Sequence, residues 1–228
     1  NKYISLEYFE LQKKTMNSLE YDMEINAQFQ ETLESFFKLN IIEKCSFDYD
    51  LMSYPTAWDR EFYLGIDWGR VHDLSVLTIL SKHDGVYKIE NIIELNNVSF
   101  PQQVILINKL YHIYRFQKIT CEYNGFGIPP TEDLISSIGS HIVRKFISTI
   151  NSKEKSYNDL RLEMERGNII LPKGHTKLQY ELRTFQYEIT NRGMKLHHLS
   201  NSSDDFCDSL MFAFEGAKTK HYGGYIAR

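Results

Sequence analysis

The pattern of apolar and polar residues divides the chain into a helical beginning, a run of strands, and an alternation of strands and helices. Residues 1–38 carry apolar side chains at roughly helical spacing and contain neither glycine nor proline, which predicts helices. Residues 39–61 mix Pro55 and aromatic residues with polar ones and predict an irregular linker. We therefore predict a helical linker segment over residues 1–60 and a main domain over residues 61–228.

Three consecutive strands open the main domain. Apolar runs predict strands over residues 62–67, 74–81 and 86–95, and the polar turn at residues 83–85 connects the last two as a hairpin. Strands joined by such short connections are antiparallel neighbours. The first part of the sheet is therefore expected to be antiparallel.

Strands and helices alternate in the remainder of the chain. The predicted helices cover residues 101–114, 131–138, 152–165, 176–186 and 203–217. The predicted strands cover residues 118–122 and 141–147, and a hairpin is predicted from residues 187–190 and 194–199. Strands followed by strand–helix alternation predict an α/β fold with a mixed sheet, antiparallel first and parallel later, flanked by helices.

Composition limits the possible partners and locations. The chain has 228 residues, of which 42% are hydrophobic, enough for one substantial core. The formal net charge is -4, so a nucleic-acid partner requires a local basic face. No apolar run reaches the length of a membrane span and no secretory leader is visible, so we expect a soluble, intracellular protein cut from a longer chain.

Cys45, Cys121 and Cys207 are far apart in the sequence and form no C-x-x-C pair. This spacing argues against a zinc ribbon, and the odd number argues against a disulfide framework. Apolar neighbours predict that Cys121 and Cys207 are thiols in the core.

Carboxylates fall at the ends of predicted elements. Asp67 ends the first strand of the main domain, Glu122 ends the fourth, and Asp205 and Asp208 lie three residues apart near the start of the last helix. If the first and fourth strands are parallel neighbours, their carboxyl ends bring Asp67 and Glu122 together. The last helix then needs only to place its first turn over the same edge of the sheet.

Carboxylates gathered in this way repel one another and stay ionised together only around a cation. Mg²⁺ and Mn²⁺ prefer carboxylate oxygens, and two such ions can promote phosphodiester hydrolysis. Each acid alone also fits an ordinary turn or a helix cap. The chain order of all three positions matches that of ribonuclease H-like nucleases.

Three segments resemble the motifs of one family. GIDWGRVHDLSV, CEYNGFG and NSSDDFCDSLMFAFEGA resemble, in order, the three motifs of the nuclease domain of viral large terminase subunits, the DNA-packaging motors of tailed phages. VRKFISTINSKEKSYNDLRLEMERGNIILP resembles the strand, lysine-bearing helix and short strand of that family. NSLEYDMEINAQF resembles the segment that joins its ATPase domain to its nuclease domain. The resemblance covers about residues 15 to 218 and implies a ribonuclease H-like fold.

The resemblance also implies a function. It implies an endonuclease that uses one or two Mg²⁺ or Mn²⁺ ions to cut concatemeric viral DNA in the cytoplasm of the host cell during virion assembly. The implied partners are double-stranded DNA, the ATPase domain of the same polypeptide, the portal and the small terminase subunit. The family's phosphate-binding motif G-x-x-x-x-G-K-[ST] is absent from this sequence, so we expect no ATP hydrolysis by this chain alone.

The motifs assign metal positions to individual acids. By resemblance, Asp67 takes the first metal position and Glu122 the second, where many relatives have Asp. Asp205 is our preferred third ligand, and Asp208 is the alternative. Asp73 matches a frequent extra acid after the first motif and is expected to support the site or to be structural.

Cations near these acids are candidates for DNA binding through phosphate contacts, although scattered surface cations also serve solubility. The candidates are Arg70, Lys173, His175, Lys177, Arg192 and Lys195. One of His197 and His198 is a further candidate for contact with the metal or the attacking water, unless both are ordinary strand residues. Trp68 is expected either to stack on a nucleotide or to lie in the core.

The sequence is also compatible with two other functions. A junction resolvase or an integrase of the same fold would share the acids but prefer branched DNA or DNA ends. A catalytically inactive module that grips DNA, or that couples a motor to its portal, would share only the fold.

Overall fold

Strands in two sheets form the centre of the molecule. The computed structural model describes residues 5–26, 34–55, 59–69, 74–190, 193–197 and 203–218. In these ranges the strands are β1 (Glu34–Ser35), β2 (Ser46–Phe47), β3 (Glu61–Asp67), β4 (Ser75–His83), β5 (Val86–Leu95), β6 (Lys118–Glu122), β7 (Val143–Phe146), β8 (Ile169–Pro172), β9 (Gln186–Thr190) and β10 (Gly193–His197). The main sheet has seven of them in the order β2-β8-β5-β4-β3-β6-β7, and β1, β9 and β10 form a separate small sheet.

Helices connect and cover these strands. They are α1 (Leu6–Thr15), α2 (Ser18–Glu24), α3 (Leu39–Cys45), α4 (Phe100–Tyr114), α5 (Ile128–Ile138), α6 (Ile150–Arg166), α7 (Thr176–Thr184) and α8 (Asp205–Ala217) within the described residues. A short 3₁₀ turn, Gly125–Gly127, precedes α5. The longest helix in the described ranges, α6, begins with a capping box at Thr149 and ends at Gly167, whose φ of 80° favours glycine.

The pairing of the main sheet confirms the predicted mixture of directions. β3, β4 and β5 pair antiparallel, whereas β6 pairs parallel to β3 and β7 pairs parallel to β6. β8 adds to the other side, parallel to β5. The carboxyl ends of β3, β5, β6, β7 and β8 therefore meet at one edge of the sheet.

Alternation along β3 separates the two faces of the sheet. Phe62, Leu64 and Ile66 lie in the hydrophobic cluster that packs under α4 and α5. Tyr63 belongs to the opposite cluster, which contains the buried residues of α3, α6, α7 and α8. The molecule therefore has three layers, with the sheet between two sets of helices.

The beginning of the chain differs from the sequence prediction. Within the predicted helix over residues 1–38, Asn17 separates α1 from α2, because its side chain caps α2 and also donates to Asn158 of α6. Residues 27–33 lie outside the described residues, and Glu34–Ser35 is a strand. Local spacing could not reveal a cap that depends on a partner 141 residues away.

Residues 39–61 are also more regular than expected. They contain α3 and β2, and β2 is the edge strand next to β8. Phe36, Phe37 and Ile42 lie in the same core cluster as α6 and α8. The division of the chain near residue 61 stays a prediction, but these residues share the core of the main sheet.

Two smaller expectations can be compared with the structure. Cys121 and Cys207 are fully buried free thiols, as predicted, and so is Cys45. None of the helices in the described ranges has the length and apolar character needed to cross a membrane.

Gly65 is predicted to be irreplaceable by alanine. A Cβ at Gly65 would lie 2.0 Å from the carbonyl oxygen of Ser209 and 2.3 Å from the amide nitrogen of Ala213, both in the backbone of α8. Gly65→Ala should therefore lower the unfolding free energy by about 3 kcal/mol or more, measured by chemical denaturation. Gly174→Ala is the matched control, because no atom lies within 4 Å of the added Cβ there. Equal stability of the two variants would contradict the close helix–strand contact.

Candidate active site

Asp67 lies at the end of the central strand β3, on the face covered by α8. It continues the row of Tyr63 and Gly65, because alternate side chains of a strand share a face. Only 9% of Asp67 is exposed. The chain beyond it is fixed by a hydrogen bond of 2.9 Å from the amide of Gly69 to the hydroxyl of Ser75.

Glu122 ends the neighbouring strand β6. β6 is parallel to β3, with Ile66 opposite Cys121. Asp67 and Glu122 are the next residues of these two adjacent strands. Ile119 and Cys121 face the cluster under α4 and α5, which leaves Thr120 and Glu122 on the α8 face. Asn124 then links the ends of β6 and β7 by accepting from the Ser148 amide (2.7 Å) and donating to the Ser148 carbonyl (3.2 Å).

Asp208 is held by two side chains of α6. The hydroxyl of Tyr157 donates to its Oδ1 at 2.5 Å, and the ammonium of Lys153 donates to its Oδ2. Lys153 also lies 3.8 Å from the carboxylate of Asp204. Both oxygens of Asp208 therefore already have a hydrogen-bond donor.

Glu181 of α7 holds the first turn of α8. Its carboxylate accepts hydrogen bonds from the backbone amides of Phe206 (2.9 Å) and Cys207 (3.0 Å), and from the hydroxyl of Ser203 (2.9 Å). The N-cap residue Asp204 makes no side-chain hydrogen bond to these amides. A buried carboxylate from another helix thus caps the helix that carries Asp205 and Asp208.

The four acids interact electrostatically. Burial raises the pKa of Asp67 well above its usual value, and the negative charges of Asp208, Asp205 and Glu122 raise it further, while Lys153 lowers it. Burial also raises the pKa of Asp208, to about 6, against the opposing effect of Lys153. Among the described residues, Lys153 is the cation whose charge opposes this rise in the pKa of Asp67.

The residue types fit a hard divalent cation, which takes carboxylate oxygens as ligands and would offset this repulsion. Asp67, Glu122 and Asp205 are the acids that could hold it, with Asp208 as the alternative. Among the described residues, no three His, Cys, Asp or Glu side chains are arranged closely enough to form a finished metal site. The acids thus share one electrostatic environment, and their assignment as ligands stays a prediction.

The predicted DNA-binding residues have different surroundings. Lys173 is 64% exposed at its side chain, and Lys195 is also exposed. Lys177 forms an ion pair of 2.5 Å with Glu94. His175 caps α7, since its Nδ1 accepts from the amide of Leu178, which gives it a structural role.

Other candidates can be placed only in part. Arg70, Asp73, Arg192 and His198 lie outside the described residues, as does the side chain of His197. Trp68 is a core residue: it is 2% exposed, and its indole N–H donates to the hydroxyl of Thr131 at 3.1 Å. This burial excludes the stacking role considered for Trp68.

Sequence reasoning did not single out Lys153, Tyr157 or Glu181. Lys153 and Tyr157 are four residues apart and so share a face of α6, which was the available signal. Glu181 had a weaker signal, a carboxylate among the apolar positions Leu178 and Leu182 of α7. None of these spacings indicates that α8 is the helix that these residues contact.

The fold and its acids define a ribonuclease H-like domain, with a mixed sheet whose central strands carry acids at one edge. A sequence profile described as "Terminase RNaseH-like domain" matches residues 64–216, well over half of the chain, and the chain belongs to this family. The resemblance noted in the sequence is thereby confirmed.

Individual relatives agree with this assignment. The terminase large subunits of Thermus phage G20c and Thermus virus P23-45 are each 27% identical over 157 residues, which cover 68% of this chain. The matched part makes up 32% of each relative, so the chain spans about one third of their length.

Solved structures share the fold. The large terminase nuclease of thermophilic phage G20c with bound magnesium has a TM-score of 0.66 at 22% identity, over 77% of this chain and 94% of that chain. The same nuclease with bound cobalt has a TM-score of 0.65 at 22% identity, over 77% of this chain and 96% of that chain. The large terminase nuclease domain of Thermus phage P74-26 gives 0.59 at 20% identity, over 76% of this chain and 92% of that chain.

Removal of the Asp67 charge should stabilise the domain when no divalent ion is present. The raised pKa means that ionised Asp67 is less favourable in the folded state than in the unfolded state. Protonated Asp67 therefore contributes to stability at low pH, and this contribution is lost as the pH rises through the pKa of Asp67 in the folded state. At neutral pH in EDTA, Asp67→Asn should therefore raise the melting temperature by a few degrees, measured by calorimetry. Asp133→Asn, at an exposed position of α5, is the control and should change little. A lower melting temperature for Asp67→Asn would contradict the repulsion at Asp67.

Loss of the Glu181 carboxylate should destabilise the start of α8. Glu181→Ala leaves two buried amides without their acceptor, and we expect a loss of about 1–2 kcal/mol in unfolding free energy. Hydrogen exchange should show faster exchange of the Phe206 and Cys207 amides. The exposed Glu10→Ala on α1 should leave both measurements unchanged. Unaltered exchange in Glu181→Ala would contradict the cap.

Proposed function

We propose that this chain is the nuclease part of a large terminase subunit and that it cuts concatemeric viral DNA by divalent-ion-dependent hydrolysis of phosphodiester bonds. The observation that carries the proposal is Asp67, a buried carboxylate at the end of the central strand that shares its electrostatic environment with Glu122, Asp205 and Asp208. Membership of the terminase RNaseH-like domain family supports it. The large terminase nuclease of phage G20c, whose structure is similar, has been solved with bound magnesium and with bound cobalt, which agrees with this chemistry.

The residues have distinct roles in the proposed reaction. Asp67, Glu122 and Asp205 would hold one or two Mg²⁺ or Mn²⁺ ions, which when bound would activate a water and stabilise the charge on the leaving oxygen. Asp205 remains the preferred third ligand because both oxygens of Asp208 already accept hydrogen bonds from Tyr157 and Lys153. Lys153 and Tyr157 orient Asp208, and Glu181 fixes the helix turn from which Asp205 projects.

The wider assembly also belongs to the proposal, because the chain spans only about one third of its curated relatives. Double-stranded DNA is the proposed substrate. The ATPase domain of the same polypeptide, the portal and the small terminase subunit are the proposed partners, in the cytoplasm of the host cell. Since these partners help to position DNA, the isolated domain should bind DNA weakly and cut it with little sequence preference.

Cleavage of supercoiled plasmid tests the proposal. The domain should nick and linearise the plasmid with Mn²⁺ or Mg²⁺ and should be inactive in EDTA. Asp67→Asn should reduce cleavage by at least about 100-fold, more than loss of a residue that only supports a metal ligand. Circular dichroism and the melting temperature establish that the variant is folded.

The other outcomes identify the alternatives. DNA binding without cleavage in any divalent metal would overturn the nuclease assignment and favour an inactive binding module. A strong preference for four-way junctions over linear duplex would favour a resolvase. Nanomolar, sequence-specific binding by this domain alone would contradict the expected dependence on partners.

A further inference from the structure

The outer surface of α7 lies at the same edge of the sheet as the acids. β8 runs parallel to β5, and β5 runs parallel to β3, so the loop after Pro172 leaves the sheet on the side of Asp67. Three strand spacings separate β8 from β3, a distance of about 14 Å. A DNA strand bound at the acids would meet α7 within a few nucleotides.

Two surface cavities lie along α7 and share residues. The inner cavity, of about 570 Å³, is lined by Leu74, Ser203 and Phe206, so it reaches the helix turn that carries Asp205. The outer cavity, of about 640 Å³, is lined by Lys173 and Arg183, among others. Thr176 and Tyr180 line both cavities. The two cavities therefore adjoin across α7 and lead from the acid helix to a pair of cations.

The cations of the outer cavity are available to a ligand. Arg183 is exposed and makes no ion pair or side-chain hydrogen bond with the rest of the described chain. Lys173 lies 3.9 Å from the exposed Asp48, a pairing that contributes little in water. Lys177, in contrast, is held by Glu94.

The remaining lining fits a sugar–phosphate backbone. Tyr180 is 53% exposed, which leaves its ring open to a nucleotide. Thr176 adds a hydroxyl beside it, and Glu43 is the one acid among the described residues that line the outer cavity. Cations that follow the backbone, together with an aromatic ring, are typical of surfaces that bind a nucleic-acid strand.

The position of α7 relative to the acids is fixed. Glu181 is a buried residue of α7 and holds the amides of Phe206 and Cys207, so α7 and the first turn of α8 are joined by hydrogen bonds. The nine residues of α7 span about 14 Å, the length of about four nucleotides of one strand.

We propose that Lys173, Tyr180 and Arg183 bind the backbone of the DNA strand next to the cleavage point. This inference rests on the proposed nuclease function, because the acids define where the cleavage point lies. The outer face of α7 is therefore a second contact area that holds the substrate beside the acids.

Another cationic surface provides a matched control. Lys118, Arg144 and Lys145 line a cavity at the edge strand β7, beside the C-terminal end of α8. All three already have partners: Lys145 pairs with Glu132 at 2.7 Å, Arg144 pairs with Glu215 at 3.3 Å, and the ammonium of Lys118 donates to the carbonyl of His141. Removing two cations from this surface changes the net charge as much as removing Lys173 and Arg183.

The test compares Lys173→Gln/Arg183→Gln with Lys118→Gln/Lys145→Gln. Binding of a fluorescein-labelled duplex is measured by anisotropy in the Asp67→Asn background, at several salt concentrations, with melting temperatures as the folding check. The α7 variant should bind about tenfold more weakly. The slope of the logarithm of its binding constant against the logarithm of the salt concentration should be smaller by about two, because two fewer counterions are released. The control should remain within about twofold of the parent protein.

Single substitutions refine the test. Tyr180→Ala should weaken binding by about fivefold, as expected for loss of a hydroxyl that donates to a backbone phosphate. Glu43→Gln should strengthen binding, because it removes the acid from the cavity. When the same substitutions are made in the protein with native Asp67, DNA cleavage should show a raised KM with little change in kcat.

The outcomes separate this inference from the proposed function. If the domain with native Asp67 cuts DNA, but the α7 variant binds and cuts like the control, the α7 contact is wrong and the nuclease function stands. If only the β7-edge variant loses affinity, DNA follows that surface instead. If the native domain neither binds nor cuts DNA with Mn²⁺ or Mg²⁺, both proposals fail.

Discussion

The direct contact of α8 with β3 is the constraint on which the site depends. At Gly65 the backbone of α8 comes so close that no side chain can lie between helix and strand. The hydroxyls of Thr78 on β4 and Ser209 on α8 form a hydrogen bond of 2.8 Å. At Gly216 the backbone of α8 lies similarly close to β6. These contacts fix the helix across three strands. They place its first turn over the edge at which Asp67 and Glu122 end.

This placement has an electrostatic cost, which other helices partly offset. Acidic residues from β3, β6 and α8 share one electrostatic environment, and burial strengthens their repulsion at Asp67. α6 supplies Lys153 and Tyr157 to Asp208, while α7 supplies Glu181 to the amides of α8. The neighbours thus stabilise Asp208 and the helix turn, but leave Asp67 short of positive charge. Such a local cost to stability is expected where a fold holds groups for binding or catalysis.

The beginning of the chain is attached to the same scaffold through α6. Arg161, which is 1% exposed, donates hydrogen bonds to the carbonyl of Phe36 (2.6 Å) and to the hydroxyl of Ser18 (3.1 Å). Asn17 is bonded to Asn158 one turn earlier on that helix. α6 therefore holds the N-terminal segment near its C-terminal half and contacts Asp208 through Lys153 in its first turn. In the proposed motor, one helix would connect the segment that precedes the nuclease with an acid of the site.

Local sequence patterns were sufficient to predict the elements of the main sheet and the acids at their ends. Strand alternation, turn residues and helical spacing are local properties, so β3 to β6, α4 and the order of Asp67, Glu122, Asp205 and Asp208 could be read directly. Tertiary structure alone decided that α3 and β2 join the sheet, that Asn17 interrupts the first helix, and that Trp68 is buried. It also decided that Lys153, Tyr157 and Glu181 hold the acid helix. Each of these depends on a partner far away in the chain, and such partners leave no periodic signal in the residues around them.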